Sequence, residues 1–118
     1  MNRIILYSYP KCSTCRKASK WLDQNNINYQ LIDITKETPS RKFLELALTQ
    51  FSLDIKKIFN TRGKSFKLID FDILDLTEKG IIDLLSNDGK LIKRPFLIIN
   101  DHKLLLGFNE SEYISNFK

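Results

Sequence analysis

A chain of 118 residues is long enough for one domain and too short for two of ordinary size. Its 42% hydrophobic and 28% charged residues are typical of globular proteins and argue against disorder. No apolar run approaches the roughly 20 residues that span a bilayer, and the short N-terminal apolar stretch lacks a following cleavage site, which argues against a signal peptide. We therefore expect a cytoplasmic protein with one domain over residues 1–118 and no membrane partner.

The charge balance is 19 Lys and Arg against 14 Asp and Glu, a formal net charge of +5. The basic residues are interspersed with acidic ones, whereas a nucleic-acid-binding domain gathers them on one face, so no direct nucleic-acid contact is expected. A soluble basic surface is the favoured interpretation, and an anionic small molecule or protein is the alternative partner. The densest basic groups are Lys11, Arg16, Lys17 and Lys20, and Lys56, Lys57, Arg62, Lys64 and Lys67.

The N-terminal third has the pattern of a strand, a helix and a second strand. Arg3–Ser8 is a β-rich apolar run, and Tyr9-Pro10-Lys11 interrupts it. From Ser13 the apolar residues recur at helical spacing until Asn25-Asn26, and Asn28–Ile34 is again strand-like. This order predicts a βαβ unit with parallel strands.

The middle of the chain is predicted to be mostly helical. A helix begins at Pro39 or Ser40, and a short amphipathic helix covers Asp54–Phe59. A break follows at Thr61–Lys64, and Phe66–Leu76 is partly irregular. Thr77 then caps a helix that runs to Leu85.

The last third predicts a hairpin and a helix. Pro95–Ile99 and Lys103–Leu106 are the two strands, with a turn at Asn100-Asp101-His102, and Asn109 or Ser111 caps the final helix. Taken together, the element order predicts an α/β fold, with a four-stranded mixed sheet and helices on its faces.

The two cysteines, Cys12 and Cys15, form a single C-x-x-C motif. A structural zinc site usually needs four Cys or His ligands, and His102 is the only histidine. A disulfide-stapled secreted fold would use several pairs. A redox motif is therefore the better interpretation of the pair.

The position of Cys12 between a strand end and a helix start favours its thiolate. Free backbone N–H groups and the positive end of the helix dipole stabilise an anion there, so the pKa of Cys12 should be depressed. Cys12 is then the nucleophile, and Cys15, one turn later, can form a disulfide with it or resolve a mixed disulfide. The alternative is a pair of inert, partly buried thiols.

Two arginines are further candidates. Arg94 precedes Pro95, and a proline that opens a strand often marks a cis peptide or a rigid turn, so its guanidinium could hold an oxyanion near Cys12. The alternative is a solvated arginine beside a structural proline. Arg62 is a similar but weaker candidate, and His102 is expected at the surface.

Several segments together resemble the arsenate reductase/Spx (ArsC-like) family. They are Tyr9–Ala18 with Trp21-Leu22, Phe59–Gly63, Leu91–Pro95 and Gly107–Glu110. The resemblance implies a thioredoxin-like fold with a helical insertion, here approximately residues 39–90, between its βαβ and ββα halves. It also implies that Pro95 is a cis-proline that faces the loop of Cys12.

Three branches of that family compete. In the glutaredoxin-linked arsenate reductases, Cys12 matches the nucleophile and Arg62 and Arg94 match two of three arginines, while the third has no counterpart after Leu106. The Spx/MgsR regulators use the C-x-x-C as a redox switch and bind the C-terminal domain of the RNA polymerase α subunit, although Asp54 stands where Spx has a contacting glycine. The small uncharacterised ArsC-like proteins look most similar.

The leading hypothesis is a thiol–disulfide oxidoreductase whose catalytic residues are Cys12, Cys15 and Arg94. The predicted substrate- or anion-binding residues are Arg62, Arg94, Pro95, Ser13 and Thr14. No metal or organic cofactor is implied, and glutathione or a thioredoxin-type protein would supply electrons. The alternative is a redox-sensing regulator of the Spx/MgsR type that binds the RNA polymerase α subunit.

Overall fold

The structure is a computed structural model and describes residues 2–118. Its strands are β1 (Ile4–Ser8), β2 (Gln30–Asp33), β3 (Phe96–Ile99) and β4 (Lys103–Leu106). Its α-helices are α1 (Ser13–Gln24), α2 (Arg41–Gln50), α3 (Lys64–Lys67), α4 (Glu78–Asn87) and α5 (Glu110–Phe117). Three 3-10 helices cover Ile55–Ile58, Ile73–Asp75 and Gly89–Leu91.

The four strands form one mixed sheet in the order β2-β1-β3-β4. β1 and β2 are parallel, whereas β1 with β3 and β3 with β4 are antiparallel, which confirms the predicted mixed α/β sheet. In the β1–β3 register Tyr7 lies opposite Phe96. The residues that follow Tyr7 and those that precede Phe96 therefore lie at the same end of these two central strands.

Helices cover both faces of the sheet. Successive strand residues point to opposite sides, so β1 contributes side chains to an apolar cluster on each face. Ile4 and Leu6 face α1 and α5, where the rings of Trp21 and Tyr113 meet edge to face at 5.5 Å. Ile5 and Tyr7 belong to the second apolar cluster, which contains the buried residues of α2 and α4. Each face of β1 is thus buried, which accounts for its nearly continuous apolar sequence.

The segment between β2 and β3 carries α2, α3 and α4 and is joined closely to the sheet at its C-terminal end. A Cβ atom on Gly89 would lie 1.8 Å from the carbonyl oxygen of Ile34, so only glycine allows this approach. The backbone of Lys93 donates to the carbonyl of Ile58 at 2.8 Å, and Asn60 donates to Leu91 at 2.8 Å. These bonds fix the chain directly before Arg94.

The structure differs from the sequence predictions mainly in the middle of the chain. The short helix α3 begins at Lys64, the last residue of the predicted break at 61–64, and the sequence did not reveal it. α4 continues two residues beyond Leu85, while Thr77 caps it as predicted by accepting from the Gly80 N–H at 3.1 Å. β2 is shorter than Asn28–Ile34 and lies at an edge of the sheet.

None of the helices in residues 2–118 is both long and apolar enough to cross a membrane.

Candidate active site

The loop from β1 to α1 places Cys12 at the N-cap of α1. The Cys12 N–H donates to the carbonyl of Tyr9 at 3.0 Å, which closes a tight turn after the strand. The Cys12 Sγ accepts the backbone N–H of Cys15 at 3.4 Å. Sulfur here takes the capping role that a Ser or Asp oxygen usually takes, and it does so best as a thiolate.

The half-buried Cys12 thiol is surrounded by hydrogen-bond donors. Burial acts to raise its pKa, but hydrogen bonds from the Cys15 thiol, the Cys15 backbone and the Arg94 side chain, together with the positive charge of Arg94, outweigh burial and leave the pKa lowered. A lowered pKa increases the thiolate fraction at neutral pH, and the thiolate is the nucleophilic form.

Cys15 has the opposite environment. Its side chain is 1% exposed, and burial raises the pKa of its thiol to about 11, aided by its hydrogen bond to Cys12 and by the charge of that neighbour. Contacts with the Tyr9 backbone and the Ser8 side chain act in the other direction but are weaker. The two thiols are free in this structure, and their environments move the pKa of Cys12 down and that of Cys15 up.

Arg94 reaches the same site from the chain before β3. The Arg94–Pro95 peptide bond is cis, as the family resemblance implies. The Arg94 side chain lies close enough to Cys12 to help lower the pKa of its thiol, and its Cζ lies 4.9 Å from the centroid of the Tyr9 ring. Its Nη1 is buried and has no hydrogen-bond partner within residues 2–118. One corner of the guanidinium is therefore available to an oxyanion beside the Cys12 sulfur.

The other predicted site residues are placed less tightly. Ser13, the first residue of α1, is exposed, and Thr14 is half-buried. Pro95 is buried next to Arg94. Arg62 is exposed and makes no hydrogen bond or ion pair with any described residue, and it is not among the groups that act on the Cys12 pKa. The structure thus brings Arg94, and not Arg62, into contact with Cys12.

Two residues at the site were not singled out from the sequence. Tyr9 contributes a ring beneath Arg94 and a carbonyl to the Cys12 turn, and Ser8 contacts the Cys15 thiol. The available signal was their place directly before the cysteine motif, at the end of β1 and in the turn that follows it. His102 is exposed in the β3–β4 turn, as expected.

A groove of about 730 Å³ lies between α1 and β2 and begins at Tyr9 and Pro10. Neither cysteine lines it, so the thiol chemistry is located on the loop beside the groove and not within it. Within the described part of the chain, no cluster of three or more His, Cys, Asp or Glu side chains is arranged to hold a metal ion.

A mixed four-stranded sheet, a C-x-x-C motif at the start of the first helix and a cis-proline beside it together define a thioredoxin-like protein. The ArsC family matches residues 7–116. The chain belongs to the ArsC family, and the resemblance in the sequence is confirmed.

Relatives differ in how they are described. An uncharacterized protein, YusI, from Bacillus subtilis (strain 168) is 36% identical over 97% of this chain and 98% of its own length. The regulatory protein MgsR from the same organism is 34% identical over 95% of this chain and 88% of its own length. A global transcriptional regulator Spx from Lactiplantibacillus plantarum is 32% identical over 92% of this chain.

Among solved structures, a possible arsenate reductase from Streptococcus mutans UA159 superposes with a TM-score of 0.88. It is 34% identical to this chain, and the superposition covers 99% of this chain and 100% of that one. The insertion and the sheet are therefore shared over the whole length, and the thioredoxin-like fold of the family applies to all the described residues.

Proposed function

We propose that the protein is a cytoplasmic thiol–disulfide oxidoreductase in which Cys12 is the nucleophile and Cys15 resolves the intermediate. One observation carries the proposal. The half-exposed Cys12 sulfur receives donors from Cys15 and Arg94 that lower its pKa, while the pKa of buried Cys15 is raised to about 11. Two adjacent thiols with pKa values moved in opposite directions divide the roles of attacking and resolving group.

In the first step the Cys12 thiolate attacks one sulfur of a substrate disulfide. A bond forms between Cys12 and that sulfur, the substrate S–S bond breaks, and the second substrate sulfur leaves as a thiolate that takes a proton from water. Arg94 stabilises the negative charge on Cys12 before the attack, and its unpaired Nη1 is available to the departing anion.

In the second step Cys15 resolves the mixed disulfide. Once Cys12 is bonded to substrate it carries no charge, so two of the causes that raise the Cys15 pKa, its hydrogen bond to Cys12 and the Cys12 charge, are removed. Cys15 then loses its proton more readily and attacks the Cys12 sulfur. The Cys12–Cys15 disulfide forms, the second substrate thiol is released, and the substrate has gained two electrons.

A thiol reductant completes the cycle. Glutathione or a thioredoxin-type protein reduces the Cys12–Cys15 disulfide and is itself oxidised by two electrons. The substrate is either a disulfide or a small anionic compound that can be reduced by thiols. Arsenate is a weaker candidate, because the segment Leu106-Gly107-Phe108-Asn109 lacks a third arginine.

The alternative function is redox regulation, and the relatives named MgsR and Spx favour it. In that case the Cys12–Cys15 disulfide would change a protein interface, and the partner would be the C-terminal domain of the RNA polymerase α subunit. The same pair of thiols would serve as a switch without substrate turnover.

A turnover assay discriminates between the two functions. Reduced protein is offered a panel of disulfides and arsenate with either a glutathione or a thioredoxin system, as wild type, Cys12→Ser and Cys15→Ser. We expect turnover by wild type only, with a trapped mixed disulfide in Cys15→Ser. Redox-dependent retention of the polymerase α domain together with no turnover on any substrate would reject the enzyme and support the regulator.

A further inference from the structure

The Arg94 guanidinium at the site is unusual in having no acidic partner. None of the ion pairs among residues 2–118 involves Arg94, and its Nη1 is buried without a hydrogen-bond partner. An arginine side chain has many rotamers, and fixing it normally requires a carboxylate or a similar acceptor. The contacts that remain are the one with Cys12 and the one with the Tyr9 ring.

The Tyr9 ring is itself held in place. Tyr9 is half-buried, and its side chain packs against the apolar cluster beneath the insertion. The Tyr9 backbone carbonyl accepts the Cys12 N–H at 3.0 Å. The guanidinium Cζ lies 4.9 Å from the ring centroid, a distance at which a cation is attracted by the face of an aromatic ring. The ring is thus a fixed platform that belongs to the same turn as Cys12.

We propose that Tyr9 is a positioning residue, whose ring holds the Arg94 guanidinium against the Cys12 sulfur in place of the missing carboxylate. This inference rests on the proposed function, since it concerns how Cys12 is kept reactive. An aromatic face positions a cation without neutralising it. A carboxylate in the same place would cancel the charge that Arg94 offers to the thiolate, so the ring is the better support for this site.

The groups that affect the pKa of Cys12 come from different elements of the fold, so substitutions can test them one at a time. Cys15 contributes from α1 and Arg94 from the chain before β3, while Tyr113 of α5 lies close enough to Cys15 for the two to influence each other. Lys11 and Arg16 are exposed, and Arg16 donates to the Pro10 carbonyl at 2.8 Å. The Tyr9–Cys12 hydrogen bond uses backbone atoms only, so a change of the Tyr9 side chain leaves it possible.

The test compares Tyr9→Leu with Tyr9→Phe, which keeps the aromatic face. Alkylation of Cys12 by iodoacetamide is followed from about pH 5 to about pH 10 and assigned to Cys12 by peptide mass spectrometry. We expect Tyr9→Leu to shift the pH profile of alkylation to higher pH, so that the rate near neutral pH falls about three- to tenfold. Tyr9→Phe should retain most of the wild-type profile, and Phe71→Leu, which removes an exposed ring elsewhere, serves as the matched control.

A second comparison places the same changes in an Arg94→Met background. If the ring acts through Arg94, Tyr9→Leu changes the profile no further there. An equal decrease in both backgrounds would show that Tyr9 acts through the loop itself and would overturn the proposal. If Tyr9→Leu fails to fold, as judged by its circular dichroism melting curve, Tyr9→Met takes its place.

The outcome also separates this inference from the proposed function. A wild-type profile in Tyr9→Leu together with an upward shift in Arg94→Met rejects the role of the ring and leaves the oxidoreductase proposal standing. A wild-type profile in both variants rejects the role of the ring and also removes the electrostatic support for Cys12 as nucleophile.

Discussion

The two candidate arginines lie in two regions of the molecule, one of which surrounds its arginine side chain while the other leaves it exposed. Arg94 leads into β3, where the cis peptide bond, the Tyr9 ring and Cys12 surround it. Arg62 lies in the insertion, in the turn before α3, and is exposed without an ion pair to any residue in 2–118. A guanidinium at the sheet edge has a defined position, whereas one in the insertion is free to sample many rotamers.

The two regions also differ in the exposure of their apolar side chains. Residues 96–98 of β3 are 0% exposed, because helices cover both faces of the sheet. The insertion instead leaves large apolar side chains at the surface, at Leu53, Leu68, Phe71 and Leu74. The buried strands thus supply the rigid support that the thiol chemistry needs, and sequence changes at the exposed positions of the insertion should be tolerated better than changes at its buried residues in α2 and α4.

The largest expected effect is in the sheet region, at the nucleophile. Cys12→Ser replaces a thiolate with a hydroxyl that remains protonated, so disulfide reduction should fall about a thousandfold or more. Cys15→Ser should keep the first step and accumulate the mixed disulfide, which mass spectrometry detects. Substantial turnover by Cys12→Ser would place the nucleophile elsewhere.

The burial contrast can be tested with one type of substitution. Leu97→Ala removes a fully buried side chain from β3 and should lower the free energy of unfolding by about 3 kcal/mol. Leu74→Ala in the insertion, where the side chain is 58% exposed, should change it by less than about 0.5 kcal/mol. Urea unfolding measures both, and equal losses would show that the insertion is as tightly packed as the sheet.

Cys15 gives a smaller effect that depends on pH. Burial raises the pKa of the Cys15 thiol to about 11 in the folded protein, against 9.0 for an exposed thiol, so the folded state favours the protonated form. The stability from this difference is fully present below about pH 9 and is lost as the pH rises through 11, a change of about 2–3 kcal/mol.

The matched variant is Cys15→Ala, which cannot make this contribution. Under reducing conditions, urea unfolding of wild type between pH 9 and pH 11 should show a larger decrease in stability than the variant does. Groups that do not interact with Cys15 titrate alike in both proteins and cancel in the comparison, whereas Tyr113, whose pKa the Cys15 charge helps to raise, adds a smaller difference of its own. Parallel curves for the two proteins would mean that Cys15 is less buried in solution than its 1% exposure indicates.

The sequence predicted the sheet region well and the site only in part. β1, β3 and β4 follow from apolar runs and turn residues, and the C-x-x-C motif after β1 located both thiols. The short helix α3 was missed because four residues carry too little periodicity to distinguish a helix from a turn.

The contact between Tyr9 and Arg94 could not be predicted either. The two residues are far apart in the chain, and only the β1–β3 register, with Tyr7 opposite Phe96, brings them together. Pairing of this kind depends on tertiary structure, which local patterns do not encode. Arg62 was given a role by resemblance, and no contact in the structure adds support to it.

The smallest effect we expect compares the two arginines directly. Arg94→Met removes a charge and a hydrogen-bond donor from Cys12, so the pKa of Cys12 should rise and its alkylation rate near neutral pH should fall about tenfold. Arg62→Met removes an exposed charge that solvent screens, so the rate should change less than about twofold. The iodoacetamide pH profile measures both. A shift in Arg62→Met as large as that in Arg94→Met would mean that the insertion closes over the thiols in solution, and the distinction between the two regions would no longer hold.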